Sequence, residues 1–238
     1  MKTDNNIEKP HEDQEPDILF ESGKNIIKKY LSGENRSENV LKIASEGTTL
    51  AEQIVAQVDE ELDAAQQIAC KAGCPYCCSM QIAITPPEAI LLGAYVNANY
   101  DDDQKTALLE KIEINLKHTH KKSQDIKVQN WHLTPCVFLK DGSCSVYPIR
   151  PFICRSWHSL NARQCLDAFH TKDKEAEIEN FPHRNFIFGS IRNGLQAGCR
   201  ELGLQWETQI ITSAVKSFLN HNNPVNSWLN GEDVFLPG

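Results

Sequence analysis

The chain has 238 residues, 40% of them hydrophobic, with nine cysteines and a formal net charge of -8. That length suffices for one domain with a real core or for two small ones. The acidic balance argues against a phosphate-neutralising surface, hence against a nucleic-acid partner, and against a polybasic membrane anchor. No apolar run approaches the roughly eighteen residues that a membrane-spanning helix needs, so no membrane partner is expected. The N-terminal stretch lacks both an apolar core and a small-residue cleavage site. The protein is therefore expected to be cytoplasmic, where crowded cysteines point to metal binding or catalysis rather than to disulfides.

Residues 1–16 are polar and charged and are expected to form a disordered tail. Residues 17–238 read as a single, mainly α domain around an irregular cysteine-rich metal-binding segment at 70–165. Ile18, Leu19, Ile26, Ile27 and Leu31 have helical spacing, with a stop at Ser32-Gly33. A longer pattern runs over 37–69, with a break near Gly47-Thr48-Thr49. It is expected to deliver Cys70 at its C-terminal end, with Gly73 as a left-handed cap.

A short extended piece follows at 80–84. Thr85-Pro86-Pro87-Glu88 has the form of a capping box with proline in the first turn, so a helix should start there. Another helix opens at Asp101-Asp102-Asp103 and runs to about residue 121, with an acidic start and a basic end that suit its dipole. Residues 122–182 are the least regular, with Pro135, Pro148, Pro151 and the turn signal Asp141-Gly142. Such a stretch is expected to bury little core and to be held by metal instead. Two amphipathic helices should cover 183–204 and 207–219. The C-terminal tail should fold back through Trp228, Val234 and Phe235, giving about six helices in all.

The chemistry is concentrated in two sets of cysteines: Cys70, Cys74, Cys77 and Cys78, then Cys136, Cys144, Cys154 and Cys165. Cys74 and Cys77 have the two-residue spacing that turns both sulfurs toward one ion. Cys70 would share a helical face with Cys74 if the helix continued. Adjacent Cys77 and Cys78 have poor geometry for closing on a single ion and suit two metals, or one cysteine in each of two sites. A turn at Asp141-Gly142 would bring Cys136 and Cys144 together, and a turn after Pro151 would add Cys154. Arg150 and Arg155 would offset thiolate charge, while Tyr147, Trp157 and His158 would supply an apolar shell and one nitrogen donor. His132 is a weaker nitrogen candidate. Cys199, in a helical run, reads as core. Zinc, iron and an iron–sulfur cluster all suit such a donor set. The sequence carries no phosphate loop, no nucleophile elbow and no HExxH.

Cys70-x3-Cys74-x2-Cys77-Cys78, Pro135-Cys136-Val137-Phe138-Leu139, Cys144-x-Val146-Tyr147, Arg150-Pro151, Cys154-Arg155 and Cys165 together resemble the YkgJ-type cysteine-cluster family. That family is described as zinc- or iron-chelating and is named for a CxxCxxCC motif. The first gap here is three residues where the name has two. The resemblance covers about residues 65–170 and implies a metal ion as ligand, with the eight cysteines as its donors. The family is also similar to flagellin lysine N-methylases, which share the motif. An iron–sulfur-dependent oxidoreductase or a protein lysine methyltransferase-like enzyme is therefore the alternative to a metal-binding protein. No protein partner is indicated.

Overall fold

Among the described residues, ten α-helices follow in chain order: α1 (Ile18–Leu31), α2 (Arg36–Glu61), α3 (Pro86–Asn99), α4 (Asp102–Thr119), α5 (Gln124–Gln129), α6 (Phe152–Ser156), α7 (Ala162–Thr171), α8 (Pro182–Glu201), α9 (Ile211–Asn220) and α10 (Pro224–Leu229). This computed structural model describes residues 17–71 and 73–236. The tail expected at 1–16 lies outside the described residues. Among the described residues, the extended structure comprises two short antiparallel pairs: β1 (Ala83–Ile84) with β4 (Gln209–Ile210), and β2 (Leu139–Lys140) with β3 (Ser143–Cys144). The mainly α reading holds, with more and shorter helices than the expected six. None of the described helices is long and apolar enough to cross a membrane.

Local chemistry explains where the long helices start. Asp17 caps α1, its Oδ1 accepting from the Leu19 N–H at 3.0 Å. The expected capping box opens α3, with the Thr85 N–H donating to Glu88 Oε2 at 2.7 Å. Asp101 and Gln104 form a second box at the start of α4. Helices α1 and α8 approach until their backbones nearly touch. A Cβ on Gly194 would collide with the Phe20 carbonyl oxygen, and one on Gly23 with that of Ile191.

Three expectations change. The break foreseen near Gly47 is absent: α2 runs through, and the space left by Gly47 is filled by the Phe152 ring. That helix stops at Glu61, eight residues short of Ala69. The chain turns through Asp63, at φ 51°, and the Ala64 N–H donates back to the Asp59 carbonyl at 2.8 Å. Cys70 is therefore carried by irregular chain, off any helix, and Gly73 is left-handed (φ 86°) without capping α2. The segment 122–182 does contribute core: Val137, Phe138, Val146 and Phe152 are all buried in the main hydrophobic cluster. That cluster runs from Ile26 on α1 to Phe235 and includes Ile43, Ile90, Ile112, Leu195 and Phe218. The C-terminal tail folds back as expected. Trp228 is fully buried, and its indole N–H donates to the Gln205 carbonyl at 2.9 Å.

Candidate metal centre

The first cysteine set lies on a loop that ends in a single turn of 3-10 helix over Tyr76–Ser79. Four contacts stitch this loop to the second set. The Ala69 N–H donates to the Ser159 carbonyl at 2.9 Å, and the Cys136 N–H to the Cys78 carbonyl at 2.6 Å. The Ser159 N–H donates to Cys70 Sγ at 3.2 Å. The Tyr76 ring, between Cys74 and Cys77, lies 5.9 Å from the ring of Phe169 on α7. Segments separated by some sixty or more residues are thus side by side.

The second set is positioned by three small elements. Asp141 and Gly142 both have positive φ, 51° and 75°, the two-residue turn that matches strand twist. It closes the β2–β3 hairpin with Leu139 opposite Cys144, which brings Cys144 back toward Cys136 as expected. Helix α6 starts at Phe152, whose N–H donates to Glu88 Oε1 at 2.8 Å, and carries Cys154 within electrostatic reach of Cys136 and Cys144. Cys165 rides on α7, which was not anticipated. Asn161 caps that helix, accepting from the Arg163 N–H at 3.0 Å.

The sulfurs gather in two neighbourhoods. Cys70, Cys74 and Cys165 form one; Cys136, Cys144 and Cys154 form the other; and Cys77 lies within electrostatic reach of both, with the Cys78 thiol beside it. Among the described residues, no three His, Cys, Asp or Glu side chains already stand in the geometry that would hold one ion. All nine cysteines are free thiols. Burial pushes the thiols of Cys70, Cys74, Cys144 and Cys154 up, and that of Cys136 to about 11. Interaction with the Cys78 thiol, followed by burial, pushes Cys77 up as well.

Other groups oppose this trend. The backbone N–H groups of Ser159, Tyr76, Phe138 and Val146 favour the thiolates of Cys70, Cys74, Cys136 and Cys144 respectively. The Arg150 guanidinium favours the thiolates of Cys77 and Cys144, and that of Arg155 also acts on Cys144. The two arginines are therefore where charge compensation requires them. Arg150 lies over the Tyr147 ring at 3.9 Å. Arg155 bridges the Arg150 and Pro148 carbonyls at 2.7 and 2.6 Å and pairs with Glu52 on α2.

This donor set fits a soft or borderline metal. Sulfur is its only plentiful ligand, and peptide N–H groups and guanidinium groups stand ready to stabilise the thiolates. Zinc or iron held there would fix the loop, the hairpin and α6 together. His158 does not serve as the expected nitrogen donor. Its Nδ1 pairs with the Ser156 carbonyl and its Nε2 accepts from the Phe181 N–H, both at 2.8 Å, and burial lowers its pKa. Tyr147 is more than half exposed and supports Arg150 instead of forming an apolar shell. Cys199 is buried in the core as expected.

Sequence reasoning missed Trp131, Phe169 and Ile178, which join Trp157 in an apolar wall beside Cys70, Cys74 and Cys165. They lie on short or irregular elements, so no hydrophobic period marks them. The Asn161 cap was the one local signal for α7 and its Phe169.

Residues 69–183 match the family model CxxCxxCC, described as "Putative zinc- or iron-chelating domain". No curated protein matches the chain, and no solved structure does. The matched segment contains both cysteine sets, the hairpin, α6 and α7. Over residues 69–183, just under half of the chain, the sequence is similar to the CxxCxxCC family.

Proposed function

We propose that this chain is a cytoplasmic metal-binding protein that chelates zinc or iron through Cys70, Cys74, Cys77, Cys78, Cys136, Cys144, Cys154 and Cys165. The observation that carries the reading is the meeting of the two sets. Cys70 and Cys74 adjoin Cys165, while Cys77 adjoins Cys136, Cys144 and Cys154. Thiols whose pKa is pushed up by partial burial and by one another hold their protons until a cation displaces them, so metal binding would release protons and add its free energy to folding. Two neighbourhoods that share Cys77 and Cys78 suit two ions or one polynuclear centre.

The test is metal and acid-labile sulfide content, with an absorption spectrum, on protein purified without oxygen. The same measurement is made on Cys154→Ala and Cys165→Ala, one from each neighbourhood. Each variant should lose part of the metal, and full metal retention in both would sink the reading. Zinc without sulfide keeps the protein a chelating module. Iron with sulfide and a brown chromophore moves it to the alternative, an iron–sulfur oxidoreductase or lysine methyltransferase-like enzyme.

A further inference from the structure

The wall of sulfurs formed by Cys70, Cys74, Cys77 and Cys165 is one side of a half-open cavity of about 310 Å³. Its other sides are apolar and aromatic: Tyr76 from the cysteine loop, Trp131 before the hairpin, Trp157 after α6, and Phe169 on α7. Among the described residues, no Asp, Glu, Lys or Arg side chain lines it. The one imidazole there, His158, has both ring nitrogens engaged by backbone. Polar groups enter through Asn180 and Asn185. The Asn180 amide donates to the Ile178 carbonyl at 2.7 Å, and the Asn185 amide to Asn180 Oδ1 at 3.2 Å.

A cavity that concentrates aromatic side chains around a few amides, next to reactive groups, is where a small ligand is expected. Volume and charge then narrow the ligand. An apolar cavity of about 150 Å³ accepts one benzene ring, so this one accommodates two fused rings. An ionised ligand would give up its hydration without finding a counter-charge on the lining. Flat rings can stack against or stand edge-on to Trp131, Trp157 and Phe169.

We infer that this cavity binds a neutral two-ring aromatic compound against the sulfur wall formed by Cys70, Cys74 and Cys165. The sulfur wall is made of proposed donors, but the aromatic walls are not, and the inference rests on those aromatic walls whether or not the sulfurs carry metal. If the sulfurs carry metal, the bound ring lies beside it, and the chelating centre has a small-molecule site at its open side.

The probe is 2-naphthol, neutral at pH 7, with 2-naphthoate as the charged counterpart of the same size. Binding to full-length protein, as purified with its metal, is followed by tryptophan quenching and by calorimetry, with metal content read on the same sample. Saturable 2-naphthol binding, at least about tenfold tighter than 2-naphthoate, is expected. Ala168→Phe fills the cavity from α7 and should weaken 2-naphthol at least about tenfold without changing metal content. Ile178→Trp, on a loop outside α7, also fills it and replaces that variant if α7 does not tolerate the change. Absent or non-saturable 2-naphthol binding overturns the inference. So does equal affinity for the anion, or unchanged binding in the filled variant. Tight 2-naphthol binding by protein that carries no metal would leave this inference standing and remove the chelation reading.

Discussion

The helical scaffold and the cysteine segment are held together in different ways. Helices α1, α2, α3, α8 and α9 are joined by close packing: α1 meets α8 backbone to backbone at Gly23 and Gly194, and aliphatic side chains such as Ile27, Ile43, Ile90 and Leu195 are fully buried between them. The two cysteine-bearing stretches, 69–84 and 131–171, are built of short elements, and none of their eight cysteines is fully buried. Those stretches are fastened by single hydrogen bonds, a two-residue turn, one buried carboxylate and a few apolar anchors. Packing of the first kind is dense and specific over its whole area. The second kind leaves sulfurs gathered but not closed on a point, which is the state from which a bound ion would gain most.

Removing metal should separate the two regions most strongly. For small structural zinc sites the binding free energy available to folding is on the order of 10 kcal/mol. Chelation under reducing conditions is expected to leave far-UV helicity largely intact, because the long helices α1, α2, α3, α4 and α8 lie outside the two cysteine-bearing stretches. Limited proteolysis should then cut within 70–80 and 136–165 far faster than in the loaded protein. Unchanged cleavage would mean that the segment needs no metal; global loss of helix would mean that the two regions fold as one.

Glu88 is the main bolt between the regions and should give the next largest effect. Its carboxylate is 3% exposed and accepts from the Thr85 N–H, the Thr85 hydroxyl and the Phe152 N–H, so it fixes both α3 and the helix that carries Cys154. Glu88→Ala leaves those buried donors without a partner, a cost of about 3–4 kcal/mol in thermal or urea melts. It should also lower metal content, because α6 is no longer positioned. Loss of stability with full metal content would place Cys154 outside the centre. Gly194→Ala attacks the scaffold alone. Its new Cβ meets the Phe20 carbonyl, at a cost of about 1–3 kcal/mol, while metal stoichiometry in the folded protein should be unchanged. A change in stoichiometry would show that the centre is coupled to the α1–α8 seam.

The sequence was readable where a residue's effect is local. The Thr85–Glu88 box and the Asp141-Gly142 turn act within four residues, and each produces the predicted element. The long helices showed through their apolar period. The end of α2 did not show, because residues 62–69 contain Ala, Gln and Leu, all good helix formers, with no Gly or Pro. What stops the helix is partly tertiary: Asp59 is pinned to Arg184 and His183 on α8, and the chain turns through a left-handed Asp63. The eight cysteines were legible as a set from spacing. Their division into neighbourhoods was not, since it depends on which long-range segments meet. The aromatic cavity was invisible for the same reason.

The Asp59 network gives the smallest effect and the one that pH can address. Asp59 is nearly buried, accepts from His183 Nε2 at 2.7 Å and pairs with Arg184. Burial pushes its carboxyl up, but the hydrogen bonds from Arg184 and His183 outweigh that and hold it below the usual carboxylate range. A depressed carboxyl contributes stability that is complete above its unfolded value of about 4 and is lost as pH falls through the folded value. Wild type should therefore exceed Asp59→Asn by about 1 kcal/mol at pH 6, and the gap should shrink below pH of about 4. Comparing the two chains removes the acid sensitivity that both share through their thiolates. A gap that stays constant with pH would mean that the network acts through shape and hydrogen bonding alone. The stop at Glu61, which directs the chain toward Cys70, would then owe nothing to the charge on Asp59.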